Sequence, residues 1–292
     1  MTLPNFVVIG AAKAGTTALY WYLAEHPEVF MSPVKETNYF AYGLDAEGRL
    51  LYGDPDVHRF PVKSLSEYEK LFAGADDAVA VGEASPIYLE CPQAADRIRE
   101  LLPESRLICG LRHPIDRAYS DYQMYLRRRG RRLEPARDLT ATSAWARPDS
   151  RWMRIGRYHE QLKRYFDAFP RDRLHVFLFD DLKRSPLPTV QNVYGFLGVD
   201  PAFTPDFNAP HNIGGLPESR LLEGFLTSGA IRSAVEPWIP TRAANWIRRL
   251  RMKNMQQAPP LPAELRKELS NHFQEDIRRT AELIGRSLEH WL

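Results

Sequence analysis

Residues 6–17 read Phe6-Val7-Val8-Ile9-Gly10-Ala11-Ala12-Lys13-Ala14-Gly15-Thr16-Thr17, and this stretch narrows the choice of fold more than any other. A short apolar run ends in a loop holding two glycines, and residues 18–26 then repeat apolar side chains at helical spacing. Strand, loop and helix are expected in that order. Three more apolar runs, 78–81, 106–111 and 174–179, each lead into polar groups: Glu83-Ala84-Ser85-Pro86, Arg112-His113-Pro114 and Asp180-Asp181. A helix is predicted over 189–197. Strands alternating with helices imply an α/β chain whose central parallel sheet is covered by helices on both faces. Ligands of such sheets sit at the carboxyl ends of the strands, so the segments after 6–9 and after 107–111 are where chemistry is expected.

A chain of 292 residues can bury roughly three quarters of its unfolded surface around one core. We find no linker or internal repeat, so residues 1–292 are expected to form a single domain. Hydrophobic residues at 44% and charged residues at 26% exclude the disordered and collagen-like classes. A formal charge of +2 is too small for wholesale nucleic-acid or membrane-surface binding. No stretch approaches the roughly 18 apolar residues of a membrane span, and the apolar start lacks the flanks of a signal peptide. The chain is therefore expected in the cytoplasm, with Cys91 and Cys109 as reduced thiols. Charge is nevertheless uneven. Residues 36–104 carry fourteen acids and six bases, whereas 127–157 carry ten Arg and three acids, and a second basic stretch spans 242–253 beside Trp238 and Trp246. A solvated face is the plain reading of both basic stretches. The functional alternative is a rim that attracts an anionic substrate.

Between strand and helix, the amides of residues 14–17 can converge on an anion, the helix dipole favours negative charge, and Gly15 permits close approach. A nucleoside-triphosphatase loop needs G-x-x-x-x-G-K-[ST]. Here Thr16 precedes the second hydroxyl and the lysine lies three residues after Gly10. The run 107–111 also ends in Arg112 rather than in a magnesium-holding acid. An anion site without a metal is expected.

Three ordered motifs resemble the sulfotransferases that use 3′-phosphoadenosine 5′-phosphosulfate (PAPS): the loop just quoted with Ala24-Glu25-His26-Pro27, then Lys35-Glu36-Thr37-Asn38-Tyr39-Phe40, then Arg112-His113-Pro114-Ile115-Asp116-Arg117-Ala118-Tyr119-Ser120. The likeness is to the heparan-sulfate-type and bacterial branches, and it extends through Phe179-Asp180-Asp181-Leu182 to the closing segment 283–292. It implies a P-loop-like α/β fold and transfer of a sulfuryl group from PAPS to a hydroxyl or amine of a carbohydrate, lipid or small molecule, with 3′-phosphoadenosine 5′-phosphate (PAP) as product. By the same resemblance Lys13 reaches the leaving phosphate oxygen, while Thr16 and Thr17, with the Ala14 to Thr17 amides, hold the 5′-phosphate. Arg112 and Ser120 take the 3′-phosphate, and Glu36 is the general base. Asn212 and Arg220, with His211, fall in a late loop that closes over the nucleotide.

Sulfuryl transfer resembles phosphoryl transfer in leaving little to the protein beyond positioning, charge stabilisation and proton removal, which is why a lysine, a cradle and one carboxylate suffice. Glu83 is the second candidate base, beside an expected strand end. Tyr158 is read as a helix-packing tyrosine, and Asp116 with Arg117 as a local ion pair. Two departures are visible: Ala84 and Asp121 stand where some relatives carry Lys and Trp. A P-loop kinase and a catalytically silent nucleotide- or glycan-binding protein are the competing classes.

Overall fold

The computed structural model describes residues 2–46, 49–53, 58–208, 216–217, 255–256 and 259–292. Five parallel strands form its sheet: β1 (Phe6–Gly10), β2 (Val29–Met31), β3 (Ala80–Ala84), β4 (Arg106–Leu111) and β5 (Leu174–Leu178), in the order β2-β3-β1-β4-β5. Phe6 pairs with both Gly82 and Arg106, so β1 is the central strand. Its alternation decides the layering. Phe6 and Val8 face one core with Leu19 and Leu23 of α1 (Thr16–Ala24). Val193 and Leu197 of the helix Pro186–Leu197 complete that side. Val7 and Ile9 face the other core, under α2 (Leu65–Lys70), α3 (Ile87–Glu90), α4 (Ala94–Leu101), α5 (Pro114–Arg128) and the helix Tyr158–Ala168. The parallel sheet covered on both faces is thus as expected.

Strand order fixes the position of the site. The loop after β1 leads to α1 on the β2 and β3 side, whereas the loop after β4 leads to α5 and on to β5, so a crevice opens between them at the strand ends. Two glycines shape its floor. A Cβ on Gly110 would lie 2.9 Å from the Ala14 carbonyl oxygen, and one on Gly15, whose φ is +88°, would strike Leu182 and Phe179.

Several boundaries differ from expectation. The second strand begins later than residue 78 and runs to Ala84, which places Glu83 within the sheet beside Val7 rather than past a strand end. The helix expected over 189–197 starts at Pro186, because proline suits a first helical turn. Asp180 and Asp181 lie in the first turn of a helix, Phe179–Arg184. The three-residue strand β2 was not anticipated.

Segment 127–157 is not simply a solvated loop. It holds the short helices Pro135–Asp138 and Arg151–Ile155, and Trp145 within it is fully buried, donating its indole N–H to the Asp138 carbonyl at 2.7 Å. The stretch 242–253 and residues His211, Asn212 and Arg220 lie outside the described residues.

Candidate active site

The crevice is lined by Lys13, Gly15, Thr16 and Thr17 from the glycine loop, by Glu36 and Asn38, and by Ser120, Asp121, Met124, Arg127 and Arg128 of α5. Gly15 is the N-cap of α1 and has no side chain to offer, so no side chain caps this helix. The first amides of a helix have no intrahelical acceptors, and Gly15, Thr16 and Thr17 at this helix start line the crevice. The Ala14 amide is an exception among the four expected donors, since it bonds the Ala11 carbonyl at 3.2 Å. Thr16 and Thr17 both line the crevice.

Arg112 bonds the backbone of Lys13 without itself lining the crevice. The Arg112 guanidinium donates to the Lys13 carbonyl at 3.2 Å and stacks over the Phe179 ring at 4.8 Å. Tyr158 donates its hydroxyl to the Arg112 carbonyl at 2.7 Å, so this buried tyrosine packs as expected and also fixes the end of β4. The Lys13 ammonium lies 3.6 Å from the Met124 sulfur. Burial lowers its pKa to about 8; Asp121 opposes this, while Arg127, Arg112 and Arg128 add to it. Around Lys13, three guanidinium groups thus act against one carboxylate.

Helix α5 explains why several residues converge. His113 caps it by accepting from the Ile115 amide at 3.3 Å, and Pro114 occupies its first turn. Ser120, Met124 and Arg127 or Arg128 then recur at three- and four-residue spacing on the crevice side. Ile115, Ala118, Tyr122 and Leu126 face the core. The expected ion pair between Asp116 and Arg117 does not form. Arg117 is buried and turns to Asp121 at 3.4 Å, one helical turn away, whereas Asp116 pairs with Arg266. Neighbours at i and i+1 point apart on a helix.

Glu36 enters from a loop pinned to the sheet: its amide donates to the Ala84 carbonyl at 3.0 Å, and its carboxylate meets Lys35 at 2.9 Å. Burial raises the carboxyl pKa, but Lys35, Arg128 and His58 outweigh it and leave the group below the ordinary carboxylate value. Glu36 is therefore ionised at neutral pH and able to accept a proton. Glu83 is placed differently. It is fully buried and receives hydrogen bonds from Ser85 at 2.6 Å, Tyr88 at 2.7 Å, Thr37 at 2.9 Å and Tyr68 at 3.1 Å. Enclosed by four hydroxyls, it has no face on the crevice. Glu25 and Glu28 are also engaged elsewhere, accepting from the amides of Asp206 and Asp200.

One backbone feature singles out this crevice. Among the described residues, the non-glycine residues with left-handed backbone are Lys13, Glu36 and Asn38, at φ of 70°, 61° and 54°, and all three line it. Such conformations cost about 1–3 kcal/mol each and gather at functional sites. No sequence signal announces them. His58, Glu90 and Arg151 also line the crevice without having been anticipated, since they arrive from distant segments. Met124, Arg127 and Arg128 follow from Ser120 by helical spacing alone.

The sulfotransferase family model matches residues 4–205. The chain belongs to the sulfotransferase family. A sulfotransferase crystal structure from Alicyclobacillus acidocaldarius superposes with a TM-score of 0.69 at 29% identity, covering 100% of this chain and 99% of that one. Among curated proteins, the bifunctional heparan sulfate N-deacetylase/N-sulfotransferase 4 of Mus musculus is 27% identical over 99% of this chain and 31% of its own length. The heparan sulfate glucosamine 3-O-sulfotransferase 6 of Homo sapiens is 29% identical over 67% of this chain and 52% of its own length. This sulfotransferase chain thus spans between about a fifth and a third of the first curated relatives it matches. Its family match covers the glycine loop, Glu36, Arg112 and Ser120, and stops short of Asn212 and Arg220. No helix among the described residues is long and apolar enough to cross a membrane.

Proposed function

We propose that this chain transfers a sulfuryl group from PAPS to a hydroxyl or amine of a carbohydrate-like acceptor, using Glu36 as general base. The observation that carries the reading is the convergence of Lys13 and Glu36, both held on left-handed backbone, on one crevice beside the uncapped N-terminus of α1. The residues fit the co-substrate. Uncapped amides with the Thr16 and Thr17 hydroxyls suit a 5′-phosphate, and Arg112 with Ser120 suits a 3′-phosphate. When bound, PAPS supplies the activated sulfuryl group.

Lys13 would place its ammonium at the oxygen that gains charge as the leaving phosphate departs. Glu36, ionised at neutral pH, would take the acceptor proton, and its Lys35 partner would hold the carboxylate in place until then. Similarity to enzymes named for heparan sulfate supports a carbohydrate acceptor. The competing kinase reading predicts tight binding of ATP with magnesium. Calorimetry with PAP, AMP and ATP plus magnesium decides between them: PAP is expected to bind at least tenfold more tightly than AMP, and a preference for ATP with magnesium would overturn the proposal.

A further inference from the structure

The 3-10 turn Glu289–Trp291 comes back to the motif that follows β4. Trp291 is buried there, its ring 6.1 Å from that of His113 and 6.4 Å from that of Tyr158, whose hydroxyl holds the Arg112 carbonyl. A buried indole contributes a large apolar surface, but its N–H needs an acceptor. Trp291 donates that hydrogen to the Asp180 carboxylate at 2.9 Å, and the His290 ring meets the same oxygen at 3.5 Å. Asp180 follows Phe179, the residue over whose ring the Arg112 guanidinium stacks at 4.8 Å. Phe179 thus meets the arginine and Asp180 the tryptophan.

Arg112 itself is left with donors to spare. A guanidinium carries five N–H groups, and among the described residues the Lys13 carbonyl takes one of them at 3.2 Å. Burial pulls the Arg112 pKa down, while Asp116, the Tyr158 hydroxyl and Asp180 oppose it, so two carboxylates lie within electrostatic reach. Neither forms an ion pair with it among the described residues. Asp116 pairs with Arg266, and Asp180 is taken by Trp291 and His290. A carboxylate that did turn onto the guanidinium would occupy the planar fork that a phosphate needs.

We infer that Trp291 is a positioning residue for the 3′-phosphate of the nucleotide: its indole N–H holds the Asp180 carboxylate off Arg112, so that the guanidinium stays open to a phosphate dianion. The inference rests on the sulfotransferase reading, in which Arg112 takes that phosphate. Asp180 is then a latent competitor for Arg112, and the tryptophan decides which anion the arginine meets. His290 is the lesser holder, since its side chain is about half exposed and its contact is longer. The role is confined to one phosphate. A nucleotide without a 3′-phosphate makes no use of the open guanidinium, so PAP and AMP should respond differently to any change at Trp291.

The test is calorimetric titration of PAP and AMP into the wild type, Trp291→Phe, Asp180→Asn and the double variant, each with its melting temperature. Trp291→Phe keeps a ring but loses the donor, and it is expected to bind PAP about tenfold more weakly with AMP nearly unchanged. Asp180→Asn removes the competing charge and is expected to bind PAP about two- to fivefold more tightly, the scale of a single screened charge. The double variant is expected to regain at least wild-type affinity for PAP. A tryptophan that served packing alone would weaken both nucleotides together and would not be rescued by a change at Asp180. An unchanged PAP-to-AMP ratio in Trp291→Phe, a parallel loss of both nucleotides, or a double variant as weak as Trp291→Phe would overturn the inference. If Trp291→Phe does not fold, Asp180→Asn decides alone: tighter PAP binding supports the inference, and unchanged or weaker binding overturns it. Wild-type protein that binds PAP no better than AMP would instead strike the sulfotransferase reading on which it rests.

Discussion

Lys13 offers the most direct quantitative test of the crevice. Its pKa lies near 8 in the nucleotide-free protein, chiefly because burial penalises the ammonium, with Arg127, Arg112 and Arg128 acting in the same direction. A phosphate dianion set on the N-terminus of α1 would reverse that balance, because an opposite charge within about 4–6 Å restores the charged form. At pH 8 about half of the free protein carries neutral Lys13, so PAP binding should take up about half a proton per nucleotide. At pH 7 the uptake falls to roughly a tenth. The phosphates themselves have second ionisations near pH 6 and contribute little at pH 8. Calorimetry at pH 8 in two buffers of different ionisation enthalpy reads the proton count from the change in apparent heat. In Lys13→Arg the guanidinium stays charged at every accessible pH, so the proton uptake should vanish even where PAP still binds. Zero uptake by the wild type at pH 8, or the same uptake in Lys13→Arg, would refute the reasoning. The same group has a stability consequence of known sign. Between pH 8 and about 10.5 the unfolded chain holds a Lys13 proton that the native state lacks, so this lysine makes the nucleotide-free protein more stable as pH rises through that window.

Four further outcomes are expected. Glu36→Gln keeps the shape of the loop but cannot accept a proton, so turnover should fall by about 10² to 10⁴-fold with PAP affinity nearly unchanged; near-normal turnover would remove Glu36 from the base role. In the wild type, the acid limb of the rate profile should lie below the usual carboxylate range, because Lys35, Arg128 and His58 hold Glu36 ionised. Arg112→Ala and Ser120→Ala should each cost PAP on the order of 1.5–3 kcal/mol and AMP much less, and equal losses for both nucleotides would move the 3′-phosphate elsewhere. Glu83→Gln should lower the melting temperature while a folded fraction keeps most of its activity; an inactive but fully folded Glu83→Gln protein would return Glu83 to the chemistry.

What the sequence disclosed was whatever depends on local pattern. The glycine loop, the strand at Arg106–Leu111 and the Pro114 helix start are set by nearest neighbours, and they appear where expected. The strand Val29–Met31 was missed because three residues carry no readable alternation, and its pairing with Val81 is decided fifty residues away. Arg117 turned to Asp121 and not to Asp116 because helix geometry favours a partner one turn on. The approach of His58 and Arg151 to the crevice, at 3.3 Å from each other, depends on tertiary packing that no local motif encodes.

Glu83 shows how a residue can matter to this crevice without entering it. Glu36 and Asn38 both carry left-handed backbone, and Thr37 lies between them. Left alone, such a segment would relax, since each left-handed non-glycine residue costs about 1 kcal/mol or more. Three bonds to the end of β3 and the residue after it hold the segment: Glu36 amide to Ala84 carbonyl, Thr37 hydroxyl to Glu83, and Asn38 amide to the Ser85 hydroxyl, at 3.0, 2.9 and 3.0 Å. Ser85 in turn donates to Glu83 at 2.6 Å, so two of the three holding bonds depend on one buried carboxylate. Burial raises the Glu83 pKa and its hydroxyl donors lower it in part. The raised value means that this group contributes stability below the ordinary carboxylate pKa and loses it as pH rises through the native value. The protein accepts that cost near neutrality because an uncharged amide at position 83 would answer four hydroxyl donors less well. Replacing it with Ala would orphan them and cost on the order of 3 kcal/mol, and Glu36 would lose the register that brings it to the crevice.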